Sequence, residues 1–279
     1  MTFVWLASYP KSGNTWLRIL LSNYLSESGD GWRWDSPILG PPSHLERHEF
    51  DEAMGIASAD MSDAGLDLLR RRLHAQFVSR FTGTSFTKTH EAFFSARDGL
   101  AMFPANAQSK AVYLVRNPLD IAASYAHHQN LPIDSVIDHL ANPAAQVENS
   151  DTFFDEHIGN WSDHVEGWTQ QDIIETLCIR YEDLLDDTFE IFSRIIRFCE
   201  LEIQDDKVAR TVTASSFERL RARERQSGFK ALSDTSRPFF RTGRSGGWQT
   251  ELTAKQSRRV YSDHGEMMQK FAYRARHDI

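Results

Sequence analysis

The strongest constraint on the fold lies near the start of the sequence, where a short apolar segment is followed at once by a loop and a helix pattern. Residues 3–8 form a nearly continuous apolar run, as fully buried strands do. Pro10 and Gly13 then interrupt the pattern, and residues 15–25 carry apolar side chains on the face of a buried helix. A strand, a loop and a helix in this order predict an α/β architecture.

The same alternation of strand and helix patterns continues along the 279 residues. Further strands are predicted at residues 84–89, 111–115 and 177–181. Helices are predicted at residues 62–81, 118–128, 132–141, 152–170, 188–200, 204–212 and 253–274. Two segments with weak periodicity, residues 28–60 and 227–250, are predicted to be long loops. The pattern predicts a single α/β domain over residues 1–279, with a parallel sheet covered by helices on both faces.

Composition narrows the classes of function. The net charge of −8 argues against a general nucleic-acid surface, so the positive groups of any anion site must be gathered locally. Cys178 and Cys199 lie in apolar contexts without metal-like spacing, which indicates two free thiols and a reducing, cytoplasmic compartment. No apolar run has the length of a membrane span, and the first residues do not form a signal-peptide pattern.

The loop after the first strand predicts an anion site. Backbone N–H groups at a helix N-terminus favour negative charge, and Lys11 adds a full positive charge. Ser12 and Thr15 add hydroxyl donors, while Gly13 lets the backbone approach a ligand closely. The spacing does not match the GxxxxGK[ST] loop of nucleotide phosphotransferases. Taken alone, the loop does not separate a kinase from another anion-binding enzyme.

Two further strand ends carry groups suited to chemistry. Lys88 and His90 lie two residues apart, so on a strand both side chains point to the same side. The imidazole can accept a proton near neutral pH, and Glu91 beside it is a candidate to tune its pKa. Arg116 follows the clearest buried strand, where it can bind phosphate or pair with Asp120 instead. A kinase places a carboxylate for magnesium at such a strand end, so the arginine favours a donor with an extra phosphate.

Four motifs occur in the order found in a known family. They are SYPKSGNTWLR at residues 8–18, YLVRNPLDIAASY at 113–125, RYEDL at 180–184 and FRTGRSGGW at 240–248. Together with the segment from Asn160 to Trp168, they closely resemble the sulfotransferases that use 3′-phosphoadenosine 5′-phosphosulfate (PAPS). The resemblance spans nearly the whole chain and implies a P-loop NTPase-like sulfotransferase fold.

The resemblance implies transfer of a sulfuryl group from PAPS to a hydroxyl or amine of a small-molecule acceptor by in-line displacement. His90 is implied as the general base and Lys11 as the cation that stabilises the leaving phosphate. Lys88, which its spacing places on the same side of the strand as His90, is a third candidate catalytic residue. The residues implied to bind the donor, whose product is 3′-phosphoadenosine 5′-phosphate (PAP), are Lys11, Ser12, Gly13, Asn14, Thr15, Trp16, Arg116, Ser124, Tyr181, Ser215, Phe217, Arg241, Thr242 and Gly243. Thr242 departs from the family's lysine, and Arg244 is a candidate to restore that charge. The family's mechanism needs no metal.

The motifs do not specify the acceptor. An aromatic molecule or a natural product is a candidate. Candidates for an aromatic acceptor pocket under the long loops are Trp32, Trp34, Phe93, Phe94 and Phe239. The family's dimerisation stretch is matched only at Thr253, so no oligomeric state is predicted. Neither nucleic acid nor a membrane is expected as a partner. Two alternatives remain open, a P-loop kinase-like phosphotransferase and a nucleotide-binding homologue that has lost catalysis.

Overall fold

A parallel sheet of four strands forms the centre of the molecule. In chain order the strands are β1 (Thr2–Ser8), β2 (Thr84–Thr89), β3 (Ser109–Val115), β4 (Gln146–Val147), β5 (Glu156–His157) and β6 (Glu175–Arg180). The sheet has the order β2-β1-β3-β6 with parallel neighbours throughout, while β4 and β5 form a separate antiparallel pair. The computed structural model describes residues 2–26, 31–40, 47–80, 83–94, 101–103, 109–147, 153–229 and 238–274.

Helices flank the sheet on both sides. They are α1 (Asn14–Leu25), α2 (Arg47–Met54), α3 (Asp63–Arg80), α4 (Pro118–Gln129), α5 (Ile133–Ala141), α6 (Trp161–Gln170), α7 (Tyr181–Asp186), α8 (Thr188–Phe198), α9 (Asp205–Ala214), α10 (Phe217–Ser227), α11 (Trp248–Glu251) and α12 (Ala254–Lys270). A 3₁₀ helix covers Ser58–Asp60. The predicted α/β fold, with a parallel sheet between helices, is confirmed.

The core has two layers because side chains alternate along each buried strand. On one face of the sheet, Trp5 and Tyr113 pack with residues of α4, α5, α6 and α12. On the other face, Leu6 and Leu114 pack with residues of α1, α8 and α9. Every residue of β1 is buried, which explains why its sequence is continuously apolar rather than alternating.

The carboxyl ends of the four parallel strands meet at one edge of the sheet, where α/β proteins bind their ligands. The loop to α1 follows β1 at that edge, and His90 follows β2. Arg116 follows β3, and Tyr181 begins α7 directly after β6. The topology therefore brings together segments that are far apart in the sequence.

The two predicted long loops are only partly loops. Within residues 28–60, α2 and the 3₁₀ helix are helical, while residues 28–30 and 41–46 lie outside the described residues. Within residues 227–250, α11 is helical, and residues 230–237 lie outside the described part. These helices are too short to show a clear apolar stripe, so the sequence pattern does not reveal them.

The predicted helix over residues 152–170 is wrong in its first half. Strand β5 lies within it, and residue 152 falls outside the described residues. The helix begins only after Asn160, whose side chain accepts a hydrogen bond from the Asp163 N–H at 2.9 Å and so caps α6.

Both cysteines are free thiols in the structure, with Cys199 buried and Cys178 partly buried. Burial raises the pKa of each thiol to about 12, so neither forms a thiolate at neutral pH. Among the helices of the described ranges, none has both the length and the apolar character needed to cross a bilayer.

Candidate active site

Two residues of the loop between β1 and α1 are left-handed. Lys11 has a φ of 66° and Gly13 has a φ of 100°, and left-handed residues of this kind occur in the backbone concavities that bind anions. Asn14 fastens the loop to β1 by donating from Nδ2 to the Leu6 carbonyl oxygen at 2.8 Å. The Ser12 hydroxyl is buried and has no hydrogen-bond partner among the described residues.

Three cationic side chains converge beside this loop. The pKa of Lys11 is lowered to about 8, chiefly by burial and then by the charges of Arg116 and Arg241. Its ammonium lies 4.7 Å from the ring centroid of Phe239. Arg116 donates from Nη1 to the Lys11 carbonyl oxygen at 2.8 Å, and its guanidinium lies 4.5 Å from the ring centroid of Tyr181. An anion bound between these cations would relieve their mutual repulsion and favour the charged form of Lys11.

A carboxylate joins the C-terminal loop to the same region. Asp120, in the first turn of α4, accepts hydrogen bonds from the Gly246 N–H at 2.8 Å and the Trp248 N–H at 3.0 Å. The alternative ion pair between Arg116 and Asp120 is not found among the described residues. Arg116 instead directs Nη2 to the Arg244 carbonyl oxygen at 3.4 Å. Asp120 therefore holds the C-terminal loop and does not neutralise the charge of Arg116.

The cavity between these groups has a volume of about 300 Å³. Of the residues predicted to bind the donor, those that line it are Lys11, Gly13, Asn14, Thr15, Trp16, Arg116, Ser124, Tyr181, Phe217, Arg241, Thr242 and Gly243. Ser12 and Ser215 are buried outside that lining, where the Ser215 carbonyl oxygen accepts from Trp16 Nε1 at 2.9 Å. The structure thus brings most of the predicted donor residues to one cavity.

The C-terminal loop supplies one side of the cavity. Arg241 is held by Glu251 through two hydrogen bonds of 2.9 Å each, which fixes the plane of its guanidinium. Thr242, the departure from the family's lysine, and Arg244 both line the cavity from exposed positions. Arg244 is therefore placed where it can supply the charge that Thr242 lacks.

His90 lies in the wall of the same cavity, just beyond β2. Its Nδ1 lies 2.7 Å from the Ser8 carbonyl oxygen, and because a carbonyl can only accept, Nδ1 carries the hydrogen. The lone pair is then on Nε2. Burial, followed by the charge of Lys88, lowers the pKa of His90 to about 3, so the imidazole is neutral at physiological pH. A neutral imidazole with a free Nε2 is the form that accepts a proton.

Buried side chains hold the main chain of His90 from both sides. Glu156 in β5 accepts a hydrogen bond from the His90 N–H at 2.9 Å, and His164 in α6 donates from Nε2 to the His90 carbonyl oxygen at 2.9 Å. Tyr113 donates its hydroxyl hydrogen to Nδ1 of His164 at 2.9 Å. Lys88 pairs with the other oxygen of Glu156 at 3.3 Å and is absent from the described cavity lining.

Glu156 and His164 were not among the residues predicted from the sequence. Glu91, the predicted neighbour of the imidazole, instead accepts a hydrogen bond from Nη2 of Arg70 at 3.0 Å. The carboxylate that contacts His90 is Glu156. No local pattern links Glu156 to His90, since 66 positions separate them. His164 does lie in the helix segment that resembles the family, but that resemblance assigned it no role.

The cavity wall contains only part of the aromatic set that was predicted for the acceptor. Phe239 lines the cavity, whereas Phe93 packs in the core with its ring centroid 5.2 Å from that of Trp168. Trp32 and Trp34 pack against each other at 5.8 Å. Side chains of the wall that the sequence did not suggest include Tyr125, Gln129 and Val147. Within the described ranges, no group of three or more His, Cys, Asp or Glu side chains is arranged to hold a metal ion.

A family model and several known proteins are similar to this chain over most of its length. Residues 2–272 match a family model described as "Sulfotransferase domain". Sulfotransferase 1C2 of Rattus norvegicus is 26% identical over 267 residues, which cover 91% of this chain and 79% of the rat protein. Amine sulfotransferase of Oryctolagus cuniculus is 24% identical over 279 residues, which cover 96% of this chain and 81% of the rabbit protein.

Two solved structures share the fold. Mouse sulfotransferase SULT7A1 complexed with PAP matches with a TM-score of 0.61 and 22% identity, covering 96% of this chain and 85% of the mouse chain. Retinol dehydratase in complex with androsterone and inactive cofactor PAP matches with a TM-score of 0.60 and 18% identity, covering 95% of this chain and 80% of the other. At these identities the likeness concerns the sheet and its flanking helices.

Proposed function

The chain belongs to the sulfotransferase domain family and is a PAPS-dependent sulfotransferase, and on this premise we propose that it sulfates a hydroxyl or amine of a small molecule, with His90 as the general base. The observation that carries the proposal is that His90 and the cationic side chains of Lys11, Arg116 and Arg241 face one cavity. A proton acceptor beside an anion site is what sulfuryl transfer requires, because the acceptor loses a proton while the leaving phosphate gains charge.

The donor is proposed to be held at its two charged ends. Lys11 and the loop N–H groups bind the phosphosulfate end, and the buried Ser12 hydroxyl, which lacks a partner among the described residues, would find an acceptor there. Arg116, Ser124 and Arg241 bind the 3′-phosphate. The side chains proposed to enclose the adenine are Trp16, Tyr181 and Phe217.

In the transfer step, the bond between sulfur and the bridging phosphate oxygen breaks as the acceptor oxygen or nitrogen bonds to sulfur. Nε2 of His90 takes the proton of the acceptor, which balances the charge on the sulfated product. Lys11, whose pKa of about 8 leaves it mostly protonated at neutral pH, stabilises the charge that develops on the leaving phosphate. Both roles require only the groups that face the cavity.

The acceptor is proposed to approach His90 past Phe239 and the side chains of Tyr125, Gln129 and Val147. This part of the wall is mostly apolar and aromatic. It fits a molecule that presents its hydroxyl or amine on an apolar or aromatic body, because such a body is transferred favourably from water to an apolar wall.

Transfer of label from ³⁵S-PAPS to a panel of phenols, alcohols, sugars and amines tests the proposal. His90→Gln is expected to lower kcat by ~10²–10⁴-fold, the usual contribution of a general base, while the Kd for PAP stays unchanged. The control His48→Gln alters an exposed histidine on α2 and should transfer at the rate of the unaltered protein. If the unaltered protein neither binds PAP nor labels any acceptor, the proposal is wrong, and phosphoryl transfer from ATP would favour the kinase alternative.

A further inference from the structure

Glu224 on α10 joins that helix to the start of the C-terminal loop. Its Oε1 accepts a hydrogen bond from the Phe239 N–H at 2.6 Å, and its Oε2 accepts one from the Phe240 N–H at 3.0 Å. The neighbouring Arg221 and Arg225 are exposed, and neither forms an ion pair with Glu224 in the described part of the chain. Both carboxylate oxygens of this half-buried side chain are therefore directed at the main chain of two consecutive residues.

We infer that Glu224 is a positioning residue for the sulfate donor, because it holds the rings of Phe239 and Phe240 against two different parts of the donor cavity. The inference rests on the proposed function, in which this cavity binds PAPS. Glu224 is not among the residues that line the cavity, so it acts through the two phenylalanines. It also lies outside every motif that resembles the family.

The two phenylalanines reach different ends of the proposed donor site. The ring centroid of Phe239 lies 4.7 Å from Nζ of Lys11, at the end proposed to bind the phosphosulfate. The ring centroid of Phe240 lies 6.2 Å from that of Phe217, which is proposed to enclose the adenine. Both phenylalanines line the cavity. One carboxylate bound to their main chain therefore sets the position of both rings.

Helix α10 is itself held at both ends, so it can support Glu224. At its start, the Phe217 ring packs so closely against Gly243 that a Cβ built on the glycine would overlap it. Beyond its end, Trp34 donates from Nε1 to the Gly228 carbonyl oxygen at 2.7 Å. Between these contacts, Leu220 is buried and lines the cavity. The carboxylate of Glu224 thus extends from a helix whose own position is fixed.

Charge alone predicts the opposite effect of this carboxylate on donor binding. PAP is an anion, and a carboxylate near its site repels it, so removal of that charge would by itself strengthen PAP binding. Positioning predicts weaker binding when Glu224 is removed, because two backbone N–H groups lose their acceptor and the rings are released. The sign of the change in Kd therefore separates the two effects.

Isothermal titration of PAP into variants of the full chain tests the inference. Glu224→Ala is expected to raise the Kd for PAP by about tenfold, the effect of one lost contact of ordinary strength. Glu224→Gln keeps one oxygen acceptor and is expected to raise the Kd by roughly threefold. The matched control Glu218→Ala removes an exposed carboxylate of the same helix that has no hydrogen bond to the described residues, and its Kd should stay that of the unaltered protein.

A double-mutant cycle separates positioning from a general loosening of the fold. The variant Phe239→Ala/Phe240→Ala removes both rings and is itself expected to bind PAP more weakly. In this background, Glu224→Ala should raise the Kd by less than about twofold more, because effects that act through the same groups are not additive. Circular dichroism checks that each variant is folded at the temperature of titration.

Three outcomes overturn the inference. They are an unchanged or lower Kd for Glu224→Ala, a further tenfold rise in the background that lacks both rings, and an equal rise for Glu218→Ala. If Glu224→Ala does not fold, Glu224→Gln decides, and a Kd equal to that of the unaltered protein refutes the inference. Failure of the unaltered protein to bind PAP would instead refute the proposed function, so the two failures are distinguishable.

Discussion

Lys11 and Gly13 both adopt backbone angles that favour glycine, yet only one of these positions has to be glycine. A left-handed residue with a side chain costs about 1–2 kcal/mol, and Lys11 bears this cost while Arg116 holds its carbonyl oxygen at 2.8 Å. Gly13 has a second constraint, because a Cβ there would lie 2.5 Å from Cδ2 of Tyr181. The loop between β1 and α1 can therefore pack closely against the Tyr181 ring only because residue 13 has no side chain.

Gly13→Ala is expected to weaken PAP binding by at least about tenfold, which corresponds to roughly 1.4 kcal/mol of lost interaction. The added methyl group forces either the loop or the Tyr181 ring out of place. Isothermal titration of PAP measures the change in Kd. Gly55→Ala is the matched control, since Gly55 has a φ of 67° but nothing within 4 Å of a built Cβ. It should lose some thermal stability and keep its affinity, and equal affinities for PAP in both variants would contradict the steric account.

At the scale of whole elements, the start of α4 organises the cavity from two directions. Asn117 caps the helix by accepting from the Leu119 N–H at 3.0 Å, while Asp120 in the first turn accepts from Gly246 and Trp248. The loop that contains Arg241 is thus tied to a helix that begins directly after β3. This connection fixes the separation between the regions that supply Arg116 and Arg241.

Asp120→Ala is expected to raise the Kd for PAP by about tenfold or more, because two backbone N–H groups lose a buried acceptor at about 1–3 kcal/mol each. With donor at saturation, kcat should change much less than the affinity. Asp134→Ala is a suitable control, since Asp134 also lies in a first helical turn but is exposed and accepts from the Gln256 side chain at 3.1 Å. An unchanged Kd for Asp120→Ala would mean that the loop is held by other contacts.

The same elements show what the sequence could predict. Strands β1 and β3 are buried on both faces, so their apolar runs are continuous and their central residues follow from composition. In contrast, α10 has one buried residue, Leu220, among eleven, so it has no apolar stripe to detect and was not predicted. The start of α6 depends on the Asn160 cap, whose hydrogen bond to the Asp163 N–H cannot be read from the apolar pattern.

The candidate site likewise contains residues that the sequence could predict and residues that it could not. Lys11, His90 and Arg116 were identified because each follows a strand within a local motif, and local motifs are visible in a sequence. Glu156 and Asp120 act through contacts with distant segments, and the partners of such contacts are fixed by packing rather than by spacing. Their roles required the three-dimensional structure.

Considered as a whole, the molecule buries several histidines in neutral form. Burial is the main reason that the pKa is lowered to about 3 for His90 and to about 4 for His164 and His264. An unfolded histidine titrates near pH 6.5, so between about pH 6.5 and 4 the unfolded chain binds more protons than the folded one. Stability is therefore lost as the pH falls through this window, whereas Glu91, whose pKa is raised to about 7 chiefly by burial, acts in the opposite sense.

His264→Gln isolates one of these contributions away from the cavity. The Nδ1 of His264 lies 2.9 Å from the Ser162 hydroxyl oxygen, a contact that a glutamine amide can partly replace. Between pH 6 and 4.5, the free energy of unfolding of the variant should fall less steeply than that of the unaltered protein, by up to about 1.4 kcal/mol per pH unit. Urea titrations at several pH values measure the difference. Parallel pH dependences of the two proteins would show that His264 is not held neutral.

The cavity takes its cations from the beginning of the chain, its middle and a loop just before α11, and this order has a consequence for biosynthesis. A ribosome releases Lys11 early and Arg116 next, but Arg241 and the N–H groups that Asp120 binds emerge only when most of the protein has been made. A nascent or prematurely terminated chain that ends before Arg241 lacks this cation and the loop that Asp120 binds, so its cavity is incomplete. Such a product is expected to leave activated sulfate unbound.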